Sequence, residues 1–367
     1  MGDVNASMFV RGAAGRARCG NAARKVPRAG RSGISAAVAF VLVSALLACM
    51  FALSGCSSDK GAAEGDGFSP VRIGTMPTED FLPMWAAEKD GLFADAGVDV
   101  ELLTFDSAQA LSAAIASGDV DMAMTDIMRA AKLTESGTSV DLEWVTLGET
   151  ADQGVFGILA PADAPYSNLQ EMQAWFDSLA TADVRGVGVG ANTVPEYAFD
   201  MLCSEAGVTL PSEEVASLPE RYGLVASGQL PGAALPASLL RLGEAQGMKV
   251  IADDSTGENL SQSVMAARAG WAADNAEALS KVAQAWDAAV EAINANPAAY
   301  APLLAEKANL NEAIASDYPV STYPAALRDG QPAYPKDSMV QSVLTWMAES
   351  GYGGNVSYDE ATGALTR

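Results

Sequence analysis

The chain has 367 residues, with 46 acidic and 22 basic side chains, a formal net charge of −24 and no histidine. Nucleic acid and anionic lipid surfaces are poor partners for so acidic a protein. The absence of histidine excludes Ser/His and Cys/His catalytic arrangements and most zinc sites. We therefore expect no metal and no cofactor, and the length suits two lobes with separate cores.

Residues 1–55 have the composition of a secretory signal. Seven basic residues lie between positions 11 and 31, Ile34 to Phe51 is apolar, and Leu53-Ser54-Gly55-Cys56 follows. These last four residues resemble the lipobox of bacterial lipoproteins, which implies cleavage before Cys56 and diacylation of its thiol. An uncleaved transmembrane anchor is the alternative, because the apolar run is about long enough to span a membrane. The long basic region also allows translation to start at Met8.

A diacylated Cys56 would anchor the protein stably, because two acyl chains suffice where one gives only marginal binding. Residues 56–68 are rich in Gly, Ala and charges, which is typical of a flexible linker. Removing residues 1–55 takes away seven basic residues and one acidic residue, so the net charge changes from −24 to −30. We interpret this charge as a solubility feature, with docking on a basic partner as the alternative. Cys203 lies in an apolar helical run and is expected to be an inert buried thiol.

The segment from Val71 to Asp126 alternates short apolar runs with stretches of helical spacing, in the order strand, helix, strand, helix, strand. This order predicts a parallel sheet with helices on its faces. Ligands of such sheets bind beyond the carboxyl ends of the strands. These ends are predicted at residues 75–81, 105–107 and 125–127.

The same pattern recurs 110 residues later. Residues 114–126 resemble residues 224–236, and Ala96-Gly97-Val98 resembles Ala206-Gly207-Val208. Two motifs at one offset favour a duplicated βαβαβ lobe, and the period is far longer than that of a solenoid.

The remaining elements follow from apolar periodicity and from capping residues. Asp80, Asp126 and the pairs Thr193/Glu196 and Asp274/Glu277 are the expected caps. Predicted strands are 142–147, 154–159, 187–189, 215–218, 232–235 and 249–252. Predicted helices are 81–90, 107–117, 126–135, 168–179, 193–206, 274–294, 297–307 and 338–349, with a surface loop at 317–337.

Two crossings between the lobes are expected, one after Leu147 and one between Leu260 and Ala267. The predicted domains are the signal (1–55), the linker (56–68), lobe I (69–150 and 264–367) and lobe II (151–263).

Several of these residues resemble the opening of substrate-binding proteins of ABC importers. The matching runs are Ile73-Gly74, Trp85 to Phe93 and Gly97-Val98-Asp99-Val100, with paired turns at Ser117-Gly118-Asp119 and Ser227-Gly228-Gln229. The group is the one that handles nitrate, taurine, other sulfonates and thiamine pyrimidine precursors. The resemblance implies a type II periplasmic-binding-protein-like fold with two α/β lobes, a hinge, and a ligand cleft between the lobes. It also implies a permease with its ATPase as partner, a monomer, and a location on the extracytoplasmic face of the membrane.

The expected ligand contacts lie on the loops that follow the strands. They are Thr75, Glu79, Asp80, Phe81, Thr125, Asp126, Asn192, Thr193, Glu196 and Tyr197. Asp80, Asp126, Thr193 and Glu196 have a purely structural alternative as caps, and Phe81 and Tyr197 could instead belong to the core. Tyr318, Tyr323 and Tyr334 are candidates to overhang the mouth of the cleft.

The four carboxylates in this set favour a neutral or amine-bearing ligand, such as an aminopyrimidine, over a sulfonate. Neither Arg129 nor Arg221 is an obvious clamp for an anion. Two other functions stay open. One is a surface sensor or adhesin on the same fold, and the other is a secreted enzyme that uses two carboxylates, although the chain offers no nucleophile–base set.

Overall fold

Two β-sheets organise the described part of the chain. The computed structural model describes residues 69–151, 153–179, 185–255 and 263–367. The predicted signal, Cys56 and the linker lie outside these residues. Within them, no helix has the length and apolar character needed to cross a membrane.

The strands are β1 (Val71–Thr75), β2 (Val100–Thr104), β3 (Met122–Asp126), β4 (Val140–Leu147), β5 (Phe156–Ala160), β6 (Val187–Val189), β7 (Ser212–Glu214), β8 (Ala233–Pro236), β9 (Lys249–Asp253), β10 (Ser263–Arg268), β11 (Leu327–Arg328), β12 (Gln331–Pro332), β13 (Ser357–Asp359) and β14 (Ala364–Thr366). The helices are α1 (Leu82–Asp90), α2 (Leu92–Ala96), α3 (Ala108–Ser117), α4 (Ile127–Glu135), α5 (Leu169–Ser178), α6 (Val194–Ala206), α7 (Leu218–Ala226), α8 (Ala237–Ala245), α9 (Ala269–Asp274), α10 (Ala276–Ala295), α11 (Ala301–Lys307), α12 (Glu312–Ala315) and α13 (Asp337–Glu349).

The two sheets repeat one topology. The first sheet has the strand order β13-β14-β4-β10-β3-β1-β2, and the second has the order β7-β6-β8-β5-β9. In the first, β1 pairs in parallel with β2 and β3, and β10 runs antiparallel to β3 and β4. In the second, β6 pairs in parallel with β7 and β8, and β5 runs antiparallel to β8 and β9. The predicted two-lobed α/β fold is therefore confirmed, and the repeat seen in the sequence occupies matching positions in the two sheets. We call the elements packed on each sheet the first and the second lobe.

The turns of the repeat need left-handed backbone. Gly118 follows α3 with φ of 81°, and Gly228 follows α7 with φ of 68°. Residues with a side chain rarely adopt this region, whereas glycine enters it without steric cost. Each of these turns thus connects a helix to a strand whose carboxyl end forms part of the expected ligand edge.

The first lobe carries a large apolar core on one face of its sheet. Helix α10 packs on α1 and α2, and its Trp286 lies against Trp144 of β4 with ring centroids 5.8 Å apart. The opposite face is covered by α3, α4 and α13. The second lobe has smaller cores on both faces, and Cys203 is buried in one of them. Burial raises the pKa of the Cys203 thiol to about 12, which agrees with the expected inert thiol.

Several sequence-based predictions of local structure were wrong. Residues 215–218 are not a strand, because Ser217 caps α7 and Pro219 occupies its first turn, so the strand ends at Glu214. Asp80 does not cap a helix, because a 3₁₀ turn occupies Glu79–Phe81 and α1 begins at Leu82. Asp274 ends α9, and Asn275 precedes α10, so the expected capping pair with Glu277 does not form.

The C-terminal segment adds an unexpected hairpin. Strands β13 and β14 pair with each other, and β14 pairs with β4 through Ala364 and Asp141, which extends the first sheet by two strands. The loop at 317–337 also contains the short pair β11 and β12. Tyr318 and Tyr323 are buried in this loop rather than overhanging a cleft, and Tyr334 is half-buried.

An ion-pair network joins three adjacent strands of the first sheet. The Asp121 carboxylate, 4% exposed, accepts hydrogen bonds from Arg72 Nη2 at 2.9 Å and Arg268 Nη2 at 2.8 Å. Burial alone would favour the neutral acid, but the bonds from Arg72 and Arg268 outweigh it and lower the pKa of Asp121. The carboxylate therefore ties the starts of β1 and β3 to the end of β10.

We expect Asp121→Asn to lower the free energy of unfolding by about 2–4 kcal/mol, because it leaves two arginines without their shared partner. Urea unfolding at neutral pH measures the change. Asp274→Asn, at an exposed position, is the control and should stay within about 0.5 kcal/mol of wild type. Equal stability of Asp121→Asn and the control would contradict this role.

Candidate functional site

The expected ligand edge is formed by the carboxyl ends of β1 and β3 in the first lobe and of β6 and β8 in the second. Each of these strands leads within a few residues into a helix or a 3₁₀ turn. Parallel strands leave loops and helix N-termini at this edge, where polar groups are available to a ligand. The predicted contacts lie at the ends of β1 and β3, on the connections that follow β1 and β6, or in the first turn of α6.

Three first-lobe residues of the predicted set are buried. Thr75 is fully buried, its Oγ1 donates to the Met76 carbonyl at 2.7 Å, and Thr125 is 5% exposed. Phe81 is also fully buried and meets Trp85 edge-to-face with ring centroids 5.5 Å apart. Phe81 thus packs in the apolar core, which is the alternative that the sequence left open.

Two first-lobe carboxylates have partners within the chain. Asp126 accepts a hydrogen bond from the Arg129 backbone N–H at 2.8 Å, and its other oxygen lies 3.0 Å from Arg129 Nε. Asp126 is therefore an N-cap of α4. Glu79 accepts a hydrogen bond from the Tyr318 hydroxyl at 2.9 Å, and the Glu79 carbonyl accepts one from Tyr323 at 2.8 Å.

Asp80 differs from the other first-lobe carboxylates. Its Oδ1 is inaccessible to solvent and has no hydrogen-bond partner among the described residues. Burial raises the pKa of Asp80, while hydrogen bonds with Thr78 and Ser263 oppose the rise. Because Ser263 begins β10, Asp80 lies where the chain re-enters the first lobe.

The second-lobe loop at 190–193 is held by its own polar groups. Asn192 adopts the left-handed region with φ of 53°, and its N–H donates to Glu196 Oε2 at 2.6 Å. Thr193 lies at the N-cap position of α6, but its side chain makes no capping bond, because its Oγ1 donates to the Gly190 carbonyl at 2.6 Å. Glu196 Oε1 accepts a further bond from the Tyr352 hydroxyl at 3.0 Å. Glu196 therefore shapes the start of α6 and links it to the C-terminal segment.

Tyr197 is engaged by α13. Its hydroxyl lies 2.8 Å from Ser342 Oγ, and its ring meets Trp346 with centroids 5.3 Å apart. Trp346 Nε1 also donates to Asp200 Oδ2 at 2.9 Å. Helix α13 packs on α4 of the first lobe and contacts α6 of the second, so it bridges the two lobes.

Two polar residues of α7 are outside the predicted set of contacts: Arg221, which the sequence offered no reason to regard as a clamp, and the half-buried Tyr222. Arg221 is 1% exposed, and its Nε lacks a hydrogen-bond partner among the described residues, as does the Tyr222 hydroxyl. Tyr222 packs against the apolar cores of both lobes. The signal that could have identified Arg221 is a pair of glycines, Gly188 within β6 and Gly190 directly after it, which leave room for a long side chain beside that strand.

Buried polar atoms without partners occur on both lobes. Among the described residues they belong to Asp80, Arg129, Trp144, Asn192, Arg221 and Tyr222, although Arg129 also pairs electrostatically with Asp126. Native proteins satisfy nearly all buried polar groups, so each exception calls for an explanation such as a bound molecule. Both lobes contribute such groups, which favours recognition of one molecule by both.

A cavity of about 270 Å³ lies near the crossing between β4 and β5. It is lined from both lobes and from the C-terminal segment, by residues that include Glu79, Gly154, Arg241, Asp253 and Tyr318. Its size approaches that of small-ligand pockets. Asp80, Asn192 and Arg221 are not among its lining residues.

The environment of Glu79 predicts that the free energy of unfolding depends on pH. Burial raises its pKa to about 7, although the Tyr318 hydrogen bond opposes the rise. The folded state therefore holds this proton more tightly than the unfolded state, and its stabilising effect is lost as pH rises from about 4.5 to about 7. We expect Glu79→Gln to gain on the order of 1–3 kcal/mol relative to wild type between about pH 5 and about pH 8.

Urea unfolding of both proteins at the two pH values measures this gain, with Glu88→Gln at an exposed position of α1 as the control substitution. A difference between Glu79→Gln and wild type that does not change with pH would contradict the raised pKa.

Solved structures share this fold. The alkanesulfonate-binding protein SsuA from Xanthomonas axonopodis pv. citri, bound to MOPS, is 12% identical, with a TM-score of 0.60 over 78% of this chain and 95% of that one. The periplasmic aliphatic sulphonate-binding protein SsuA from Escherichia coli is 14% identical, with a TM-score of 0.60 over 78% and 89%. The periplasmic nitrate-binding protein NrtA from Synechocystis PCC 6803 is 15% identical, with a TM-score of 0.59 over 77% and 82%. At 12–15% identity, this likeness establishes a shared fold.

No curated protein sequence is significantly similar to the chain. A family model does match it, over residues 65–307, and that model describes the NMT1-like family. The match covers well over half of the chain and includes both sheets apart from the C-terminal hairpin. The chain belongs to the NMT1-like family.

Proposed function

We propose that this protein is the solute-binding component of an ABC importer, which captures a small molecule between its lobes and delivers it to a permease. The observation that carries the proposal is the set of unsatisfied buried polar atoms on both lobes, Asp80 on the first and Asn192 with Arg221 on the second. The family match and the shared fold of SsuA and NrtA support it.

Closure around the solute would follow from contacts with both lobes. The lobes are joined by the connections from β4 to β5 and from β9 to β10, and the proposed boundaries are 69–150 with 264–367 for the first lobe and 151–263 for the second. A ligand that contacts both lobes stabilises the closed form through contacts that the open form lacks. The closed shape would then be recognised by the permease.

The proposal places the protein as a monomer on the extracytoplasmic face of the membrane, held by lipid on Cys56. The support is the basic region, the apolar run and Leu53-Ser54-Gly55-Cys56 in the sequence. Residues 57–68 would then act as a tether that keeps the lobes away from the bilayer.

An amine-bearing solute, such as an aminopyrimidine, is the proposed ligand class on the first-lobe side. Of the four carboxylates that suggested it, Glu79, Asp126 and Glu196 have partners within the chain, whereas among them only Asp80 has an oxygen that is inaccessible to solvent and has no hydrogen bond among the described residues. Asp80 is therefore the proposed acceptor for the amine. No structural observation favours the sensor or the enzyme over this function.

Calorimetric titration with pyrimidines, sulfonates, aromatic acids and amino acids tests the function. We expect saturable binding of one class, and Asp80→Asn should weaken an amine-bearing ligand by tenfold or more, since a hydrogen bond to a charged group is worth about 1.5–3 kcal/mol. Asp317→Asn, at an exposed loop position, is the control and should bind as wild type. Binding of no compound in any class would contradict the proposal.

Inhibition of the lipoprotein signal peptidase tests the anchor. We expect the precursor to accumulate uncut in the membrane, and Cys56→Ser to lose the lipid, because the thiol is the proposed site of acylation. Mass spectrometry of the mature N-terminus and membrane fractionation provide the readouts. Normal processing under inhibition would contradict the anchor and leave solute binding untouched.

A further inference from the structure

Helix α13 has two faces that contact different lobes. Its apolar face is buried in the cluster that α3 and α4 form on the first sheet, and it consists of Val340, Val343, Leu344 and Met347. On the other face, Ser342 Oγ lies 2.8 Å from the Tyr197 hydroxyl, and Trp346 Nε1 donates to Asp200 Oδ2 at 2.9 Å. The first contact is broad and non-directional, whereas the second depends on a few directed bonds. We therefore expect α13 to stay with the first lobe when the lobes separate.

The segment after α13 connects the lobes a second time. Lys132 Nζ of α4 donates to the Tyr352 carbonyl at 2.8 Å, and Glu135 Oε1 of α4 accepts from the Asn355 N–H at 2.7 Å. The Tyr352 hydroxyl donates in the other direction, to Glu196 Oε1 of α6 at 3.0 Å. The backbone of Tyr352 is thus fixed to the first lobe while its side chain bonds to the second.

Glu196 connects this contact to the expected ligand edge. Its second oxygen, Oε2, accepts from the Asn192 N–H at 2.6 Å. Asn192 has a φ of 53°, a region that residues with a side chain seldom adopt, so the loop at 190–193 depends on such bonds for its shape. Because one carboxylate serves both Tyr352 and Asn192, loss of the Tyr352 bond changes the support of this loop.

A different part of the C-terminal segment contacts the second lobe by apolar packing. Helix α12 packs on α8, and Ile314 of α12 and Leu242 of α8 are buried in one apolar cluster. Helices α6 and α8 belong to the cores on opposite faces of the second sheet. Apolar packing has no preferred direction and tolerates a small rotation, whereas a hydrogen bond weakens steeply when it is misaligned. The α8 side is therefore suited to be a pivot, and the α6 side is suited to release.

We infer that Ser342, Trp346 and Tyr352 form a latch, which holds α6 of the second lobe against the first lobe and opens before a solute enters or leaves. This inference rests on the proposed function and adds a control on lobe opening. The lobes separate on the α6 side, and the contact between α8 and α12 is the pivot. The C-terminal segment therefore sets the balance between the open and closed forms, together with the two crossings.

A triple variant, Ser342→Ala with Trp346→Phe and Tyr352→Phe, removes the three groups that bond across the lobes and keeps two aromatic rings. Tyr358→Phe is the matched control, because the Tyr358 hydroxyl donates to the Pro335 carbonyl at 2.6 Å within the C-terminal segment. The control loses a buried hydroxyl bond that does not join the lobes.

Double electron–electron resonance without added solute measures the distance between the lobes. Nitroxide labels on Ala113→Cys of α3 and Ala174→Cys of α5 are both at exposed positions, whereas Cys203 is buried. The triple variant should raise the ratio of open to closed protein by roughly 30-fold or more, since each lost hydrogen bond contributes a net factor of about 5. Tyr358→Phe should give the distance distribution of wild type.

A triple variant with the wild-type distance distribution would overturn the latch, as would an equal shift in Tyr358→Phe. If the triple variant fails to fold, Ser342→Ala and Tyr352→Phe alone should each shift the distribution toward longer distances, by less, and no shift in either would overturn the latch. The measurement needs no ligand, so its outcome is separate from that of the calorimetric titration. Unchanged distances defeat the latch and leave solute binding standing, whereas the absence of any ligand defeats the proposed function.

Discussion

A charged group that is buried on folding needs a partner. This constraint distinguishes the amino ends of the strands from their carboxyl ends. At the amino ends of β1 and β3, Asp121 is buried but shared by Arg72 and Arg268, so the network is complete. At the carboxyl ends, Oδ1 of the half-buried Asp80 and Nε of the buried Arg221 are inaccessible to solvent and bond to nothing in the described residues. The paired end stabilises the fold, and the unpaired end is suited to a ligand.

The duplicated topology explains how such groups come to lie on both lobes. In each sheet, two parallel strands end beside an antiparallel strand that follows a crossing between the lobes. Each lobe therefore presents the same kind of edge to a ligand. The C-terminal segment then links the lobes, because α13 packs on α4 and also holds Tyr197 and Asp200 of α6. Relative motion of the lobes would therefore involve these α13 contacts as well as the two crossings.

Strands β1 to β6, β8 and β9, most helices and the two-lobed fold could be predicted because short apolar runs, helical spacing and glycine turns are local signals. Gly118 and Gly228 illustrate this, since each marks a left-handed turn that the sequence shows directly. Predictions were wrong where several residues could begin the same helix, as at Asp80, or where one capping residue changes where an element begins, as at Ser217. The hairpin at β13 and β14 is stabilised by pairing with β4, which no local pattern reveals.

The candidate site was predictable in its location but not in its chemistry. The loops after the strands could be named, yet hydrogen bonding shows that Glu196 and Asp126 cap helices, and the importance of Arg221 depends on glycines more than 30 residues away.

A crystal structure of the protein with its bound solute tests the central claim most directly. The account predicts a solute that lies between the lobes and contacts both of them, with its amine on Asp80. A solute bound elsewhere, or one that contacts a single lobe, would contradict it.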